Sequence, residues 1–131
     1  MPRFSKTSLS RLEACHTDLQ RLFNEVIKHV DCTVLCGRRG QEEQDALFQS
    51  GQSKLQYPHS KHNADPSCAV DVVPYPIDWE DLRRFDRFAA YVMGVADKMG
   101  IDIEWGGTWT DCPTDKVAKF YDAPHFQLKG K

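Results

Sequence analysis

Two segments far apart in this 131-residue chain carry the side chains best suited to chemistry. SKHNADPSCAVDVVPY holds Ser60, Lys61, His62 and Asp71, and FYDAPHF holds Asp122, Pro124 and His125. Together they offer two imidazoles, a carboxylate that could complete a metal shell, and a second carboxylate to spare. A hydrolytic zinc centre needs three protein ligands, an open position for water and a proton acceptor nearby. Nitrogen and carboxylate oxygen leave the ion more Lewis-acidic than thiolates would, so the set points to an enzyme.

Each residue also has a plainer reading. Asp71 interrupts an apolar run, Ala-Val-Asp-Val-Val, where a carboxylate is costly unless it faces a cation, a metal or solvent; an edge strand with one wet face would serve equally well. His62 could be a surface loop residue, and His59, three positions earlier, competes with it as a ligand. His125 follows Pro124, whose fixed φ helps to aim the imidazole, although a lone histidine there is more often structural. Asp122 in Tyr-Asp-Ala-Pro is either a turn former or a base able to take a proton from an attacking water. Arg39 in GRRG is either solvated or positioned to hold a substrate carboxylate or a developing oxyanion. Trp105 and Trp109 bracket two glycines in WGGTW, which suits an aromatic wall beside a ligand, with core packing as the rival account for Trp105. His16 and His29 fall in or just after a helix, where packing and the helix C-terminus explain them.

These residues must be carried by regular elements. Ser10 to Glu13 has the form of a capping box, and Leu12, Cys15, Leu19, Leu22, Phe23, Val26 and Ile27 recur at helical spacing, which predicts one helix from about Ser10 to Lys28. Thr33 to Cys36 is a short strand closed by Gly37, and Gln41 to Ser50 reads as a helix. The aperiodic stretch from Gly51 to Ser67 is expected to be a long ordered or functional loop. It leads into a strand over Ala69 to Val73. Asp78 is expected to cap a helix whose apolar period, Leu82 to Met99, ends at Gly100. Ile101 to Trp105 and His125 to Leu128 alternate as strands and are expected to pair antiparallel. Helices and strands without a regular βαβ repeat predict an α+β fold, with helices packed on a small, mainly antiparallel sheet and residues 1–131 forming a single domain.

The bulk properties narrow the function classes. A formal charge of -2 gives no general attraction to nucleic acid or anionic membrane. No stretch approaches the roughly 20 apolar residues of a membrane span, and the N-terminus lacks the apolar core of a secretory signal. The chain is expected to stay cytoplasmic until released, and to act as a monomer. Five cysteines, without CxxC pairs, read as free thiols. Phosphate loops, GxSxG elbows and HExxH helices are missing from the sequence.

SKHN…PSCAVDVVPYPIDW, followed by EWGGTW and DAPHF, resembles the zinc peptidases that include D-alanyl-D-alanine carboxypeptidases and L-alanyl-D-glutamate endolysins, and is most similar to the phage endolysin branch. The resemblance spans roughly Thr33 to Leu128. It implies one Zn2+ ion held by His62, Asp71 and His125, with Asp122 as general base and Arg39 orienting substrate; Ser60, Trp105 and Trp109 are expected to line the substrate site. The implied substrate is the stem peptide of bacterial peptidoglycan, cut between L-alanine and D-glutamate. A D-alanyl-D-alanine carboxypeptidase on the same scaffold, or a noncatalytic wall-binding module, are the alternatives. The sequence departs from the family's SxHxxGxAxD pattern by two extra residues between His62 and Asp71, with Ser67 in place of glycine.

Overall fold

In the computed structural model, which describes residues 2–51, 55–106 and 124–129, the β-prone runs form β1 (Cys32–Cys36), β2 (Ala69–Pro74), β3 (Ile103–Trp105) and β4 (His125–Leu128). They pair antiparallel in the order β1-β2-β4-β3. The helices are α1 (Lys6–Glu13), α2 (Thr17–Val26), α3 (Gln41–Gln49) and α4 (Leu82–Met99), with a 3-10 turn at Lys61–Asn63. The α+β expectation holds, including the antiparallel pairing of the last two strands.

Strand alternation divides the sheet into two chemically different faces. Val34, Val70, Val72, Ile103, Phe126 and Leu128 point to one side and join Leu12, Leu19, Leu22, Phe23, Val26, Phe88, Ala89, Val92 and Ala96 from α1, α2 and α4 in a continuous core. Asp71, between Val70 and Val72, therefore faces the other way, as do His125 and Gln127 on either side of Phe126. The apolar face holds the fold together, and the opposite face is free to carry polar groups.

The single long N-terminal helix expected from Ser10 to Lys28 is in fact two. α1 starts four residues earlier, capped by Ser5, whose hydroxyl accepts the Ser8 N–H, so Ser10 and Glu13 lie inside α1 rather than forming a capping box. The chain breaks at Ala14 to His16 because Cys15 bridges to Ser67 and His16 Nδ1 accepts the Asp18 N–H at 3.0 Å, opening α2. The break ties the segment before β2 to the helical layer: His16 N–H donates to the Ser67 carbonyl at 2.8 Å and Ser67 N–H to that of Ala14 at 3.0 Å. α1 also covers the free edge of β1, where Ser8 Oγ accepts the Val34 N–H and Arg11 donates to the Val34 carbonyl.

Asp81, not Asp78, caps α4 by accepting the Arg84 N–H at 3.1 Å; Asp78 forms the turn just before it. α4 ends where expected, at Gly100, whose φ of 73° is a left-handed conformation that glycine adopts without steric cost.

Candidate metal centre

Three strands and a loop converge on the polar face of the sheet. Across the ladders, Cys36 pairs with Asp71, and Asp71 with His125, so antiparallel register alone sets Asp71 beside a histidine 54 positions away in sequence. β2 lies between β1 and β4, which disposes of the edge-strand account of Asp71. His62 arrives from the 3-10 turn, which is held by a capping box: Ser60 Oγ accepts the His62 N–H at 3.2 Å and Asn63 Oδ1 accepts the Ser60 N–H at 3.0 Å. Lys61 reaches across to the Leu128 carbonyl and pins this turn to β4.

The result is a triangle of donor atoms. His62 Nε2 and His125 Nδ1 each lie 3.3 Å from Asp71 Oδ1, and 3.3 Å from one another. Ligands about 2.0–2.1 Å from a tetrahedral ion stand about 3.3–3.4 Å apart, so the three spacings match one face of a tetrahedral shell. Asp71 Oδ1 is buried, and its close partners among the described residues are these two imidazole nitrogens, so a proton or a cation must lie between them for the carboxylate oxygen to be stable there. These three residues form the only His, Cys, Asp or Glu group among the described residues with ligand atoms close enough to share a metal. His59 is exposed and outside it.

Both imidazoles are held in the tautomer that a metal requires. His62 Nδ1–H donates to the Gly37 carbonyl at 2.8 Å, directing the Nε2 lone pair into the triangle. His125 is held the other way round: Nε2–H donates to Gln127 Oε1 at 2.7 Å, leaving Nδ1 to point inward. Burial pulls the His62 pKa down, but the adjacent Asp71 and the Cys36 thiol outweigh it and push the value up to about 9. Burial would raise the Asp71 carboxyl, yet the two imidazoles hold it well below the usual carboxylate range.

Arg39 stands at the rim. Its Nη2 is 3.8 Å from Asp71 Oδ2, and its Nη1 donates to Gln44 Oε1 at 3.0 Å. The Arg39 N–H also bonds the His62 carbonyl at 2.7 Å, so the loops carrying the two side chains are stitched together. Gln44, fully buried on α3, is a site residue that sequence reasoning missed. Besides Arg39, it accepts from Asn63 Nδ2 at 3.3 Å and donates to the Leu55 carbonyl at 2.6 Å. A polar residue on the inner side of a short amphipathic helix was the available signal.

Two expected substrate contacts are placed otherwise. Ser60 is buried and uses its hydroxyl on the turn that presents His62, so it acts on the site through the backbone. Trp105 pairs with Phe126 and packs against the core on the apolar face, opposite to the triangle. Asp122 and Trp109 lie outside the described residues. Cys15, Cys32, Cys36 and Cys68 are free thiols, and burial pushes the Cys15 and Cys32 thiols up to about 12.

A helix-backed antiparallel sheet thus brings two tautomer-locked histidines and an aspartate around one point, a group that could hold a metal ion. The sequence matches the phage L-alanyl-D-glutamate peptidase family over residues 1–129, and the chain belongs to that family. It is 26% identical over 134 residues to the L-alanyl-D-glutamate peptidase of Escherichia phage T5, covering 96% of this chain and 97% of that protein. Its fold is similar to the crystal structure of the Serratia marcescens L-Ala D-Glu endopeptidase ChiX, with a TM-score of 0.76 and 31% identity over 97% of this chain and 90% of that one.

Proposed function

We propose that this protein is a zinc-dependent endopeptidase that hydrolyses the L-alanyl-D-glutamate bond in the stem peptide of bacterial peptidoglycan. The observation that carries the metal is the triangle of His62 Nε2, Asp71 Oδ1 and His125 Nδ1, three inward-facing ligand atoms each 3.3 Å from the other two. The bond specificity is supported by the family and by the names of both relatives.

His62, Asp71 and His125 would hold the ion. Bound there, zinc supplies Lewis acidity and a water acidic enough to act as a nucleophile near neutral pH. Asp122, three positions before His125 in sequence, takes the proton of the attacking water and returns it to the departing amine of D-glutamate. Arg39, whose guanidinium is braced by Gln44 and leans towards Asp71, meets a substrate carboxylate or the oxyanion that develops at the scissile carbonyl. No helix among the described residues is long and apolar enough to cross a membrane, and the likeness to a phage peptidase supports a protein that meets its substrate after release to the cell wall.

Purified protein incubated with peptidoglycan tests the reading directly. Fragments with new D-glutamate amino termini are expected, abolished by a chelator and restored by zinc. Release of D-alanine alone, or cleavage indifferent to chelation, would overturn it.

A further inference from the structure

The polar face of the sheet carries a second row of side chains immediately behind the metal triangle. Glu104 and Gln127 are register partners across the β3–β4 ladder, and Gln127 is two residues along β4 from His125, on the same face. Gln127 Oε1 accepts His125 Nε2–H at 2.7 Å, while its Nε2–H2 donates to Glu104 Oε1. A side-chain amide can be turned either way around, and an imidazole can carry its proton on either nitrogen. Here one carboxylate settles both choices. Glu104 only accepts, so it draws the NH2 of Gln127 and leaves the amide oxygen facing His125. That oxygen requires a proton on His125 Nε2 and so leaves Nδ1 with its lone pair.

We infer that Glu104 and Gln127 are positioning residues for metal binding, a carboxylate–amide–imidazole relay that fixes the tautomer and ring angle of His125. The inference rests on the zinc reading above. The relay acts through His125. Its effect is on affinity for the ion, of the size found when a partner behind a metal-ligating histidine is lost.

The test is zinc affinity, measured by chelator competition without peptidoglycan, with the visible spectrum of the cobalt(II) form as a second readout. Gln127→Leu is expected to weaken zinc binding by roughly 10–100-fold and to change the cobalt spectrum. Melting of the metal-free protein reports whether the fold survives. Gln127→Glu sets two carboxylates face to face and is expected to weaken binding too. Adding Glu104→Gln to that variant exchanges the two groups: the amide, now on β3, donates to the carboxylate, now on β4, and the carboxylate accepts from His125. The double variant should recover most of the lost affinity. A Gln127→Leu protein that binds zinc as tightly as the parent, or a double variant no better than Gln127→Glu alone, would sink the relay while leaving the zinc reading intact. A parent protein that takes up no zinc would sink both.

Discussion

His62 and Gly37 are joined by a hydrogen bond from Nδ1 to the backbone carbonyl at 2.8 Å, and this bond makes a glycine part of the candidate metal site. A Cβ on Gly37 would stand 2.1 Å from the Arg11 carbonyl oxygen and 3.2 Å from Cys15 Sγ. The chain can pass this close to the end of α1 only without a side chain. The position of the Gly37 carbonyl, and hence the aim of His62, follows from that contact.

Gly37→Ala is accordingly expected to cost roughly 1–3 kcal/mol of stability, as overpacking usually does, and also to weaken zinc binding by displacing the acceptor behind His62. Denaturant melts and chelator competition measure the two effects separately. A variant that is less stable yet binds zinc unchanged would show that the carbonyl has no part in holding the imidazole.

The buried amide of Gln44 leads to a different expectation. It is shared between the guanidinium of Arg39 and the side chain of Asn63, so Gln44→Leu removes an acceptor from both at a cost of about 1–3 kcal/mol. With Arg39 no longer braced, kcat/KM on peptidoglycan fragments should fall by roughly 10–100-fold. Zinc stoichiometry should stay at that of the parent. Unchanged turnover would remove Arg39 aiming from the account of the site.

Much of this was legible in the sequence because period and alternation are local. Leu82 to Met99 declared α4, and Asp71 stood out as a carboxylate within an apolar run. The break between α1 and α2 was not legible, since the apolar period runs straight through Cys15 and the stop comes from a bridge to Ser67, 52 positions on. Likewise, Gln127 and Glu104 look like ordinary strand polar residues until the β3–β4 register sets them opposite each other. For Trp105 the neighbouring glycines suggest a ligand wall and core packing is the rival account; only the β3–β4 register, which pairs it with Phe126, sets it against the core.

Asp122→Asn is expected to retain zinc and the fold and to lose about 10²–10⁴-fold in peptidoglycan hydrolysis, the usual contribution of a positioned acid or base. The amide keeps the shape of the acid but cannot take the water's proton. Turnover by wall-clearing assay, beside metal analysis of the same sample, decides it. Full activity would assign the proton transfer to another group.

The pairing of His62 with Asp71 gives the metal-free protein a stability profile of definite sign. The His62 pKa rises from 6.5 to about 9 in the fold, so its contribution is complete below pH 6.5 and is lost as pH climbs through about 9. Asp71 is held below its ordinary 3.8, so its contribution is present above that value and lost on acidification. The metal-free melting temperature should therefore be highest between these limits and drop by several degrees from pH 6.5 to about 9. Zinc uptake must expel the His62 proton, which makes affinity increase with pH over the same window. Calorimetry of the metal-free parent and of Asp71→Asn tests this: the decline should be present in the first and lost in the second. A parent profile that stays flat through the window would mean that no proton takes the place of the metal.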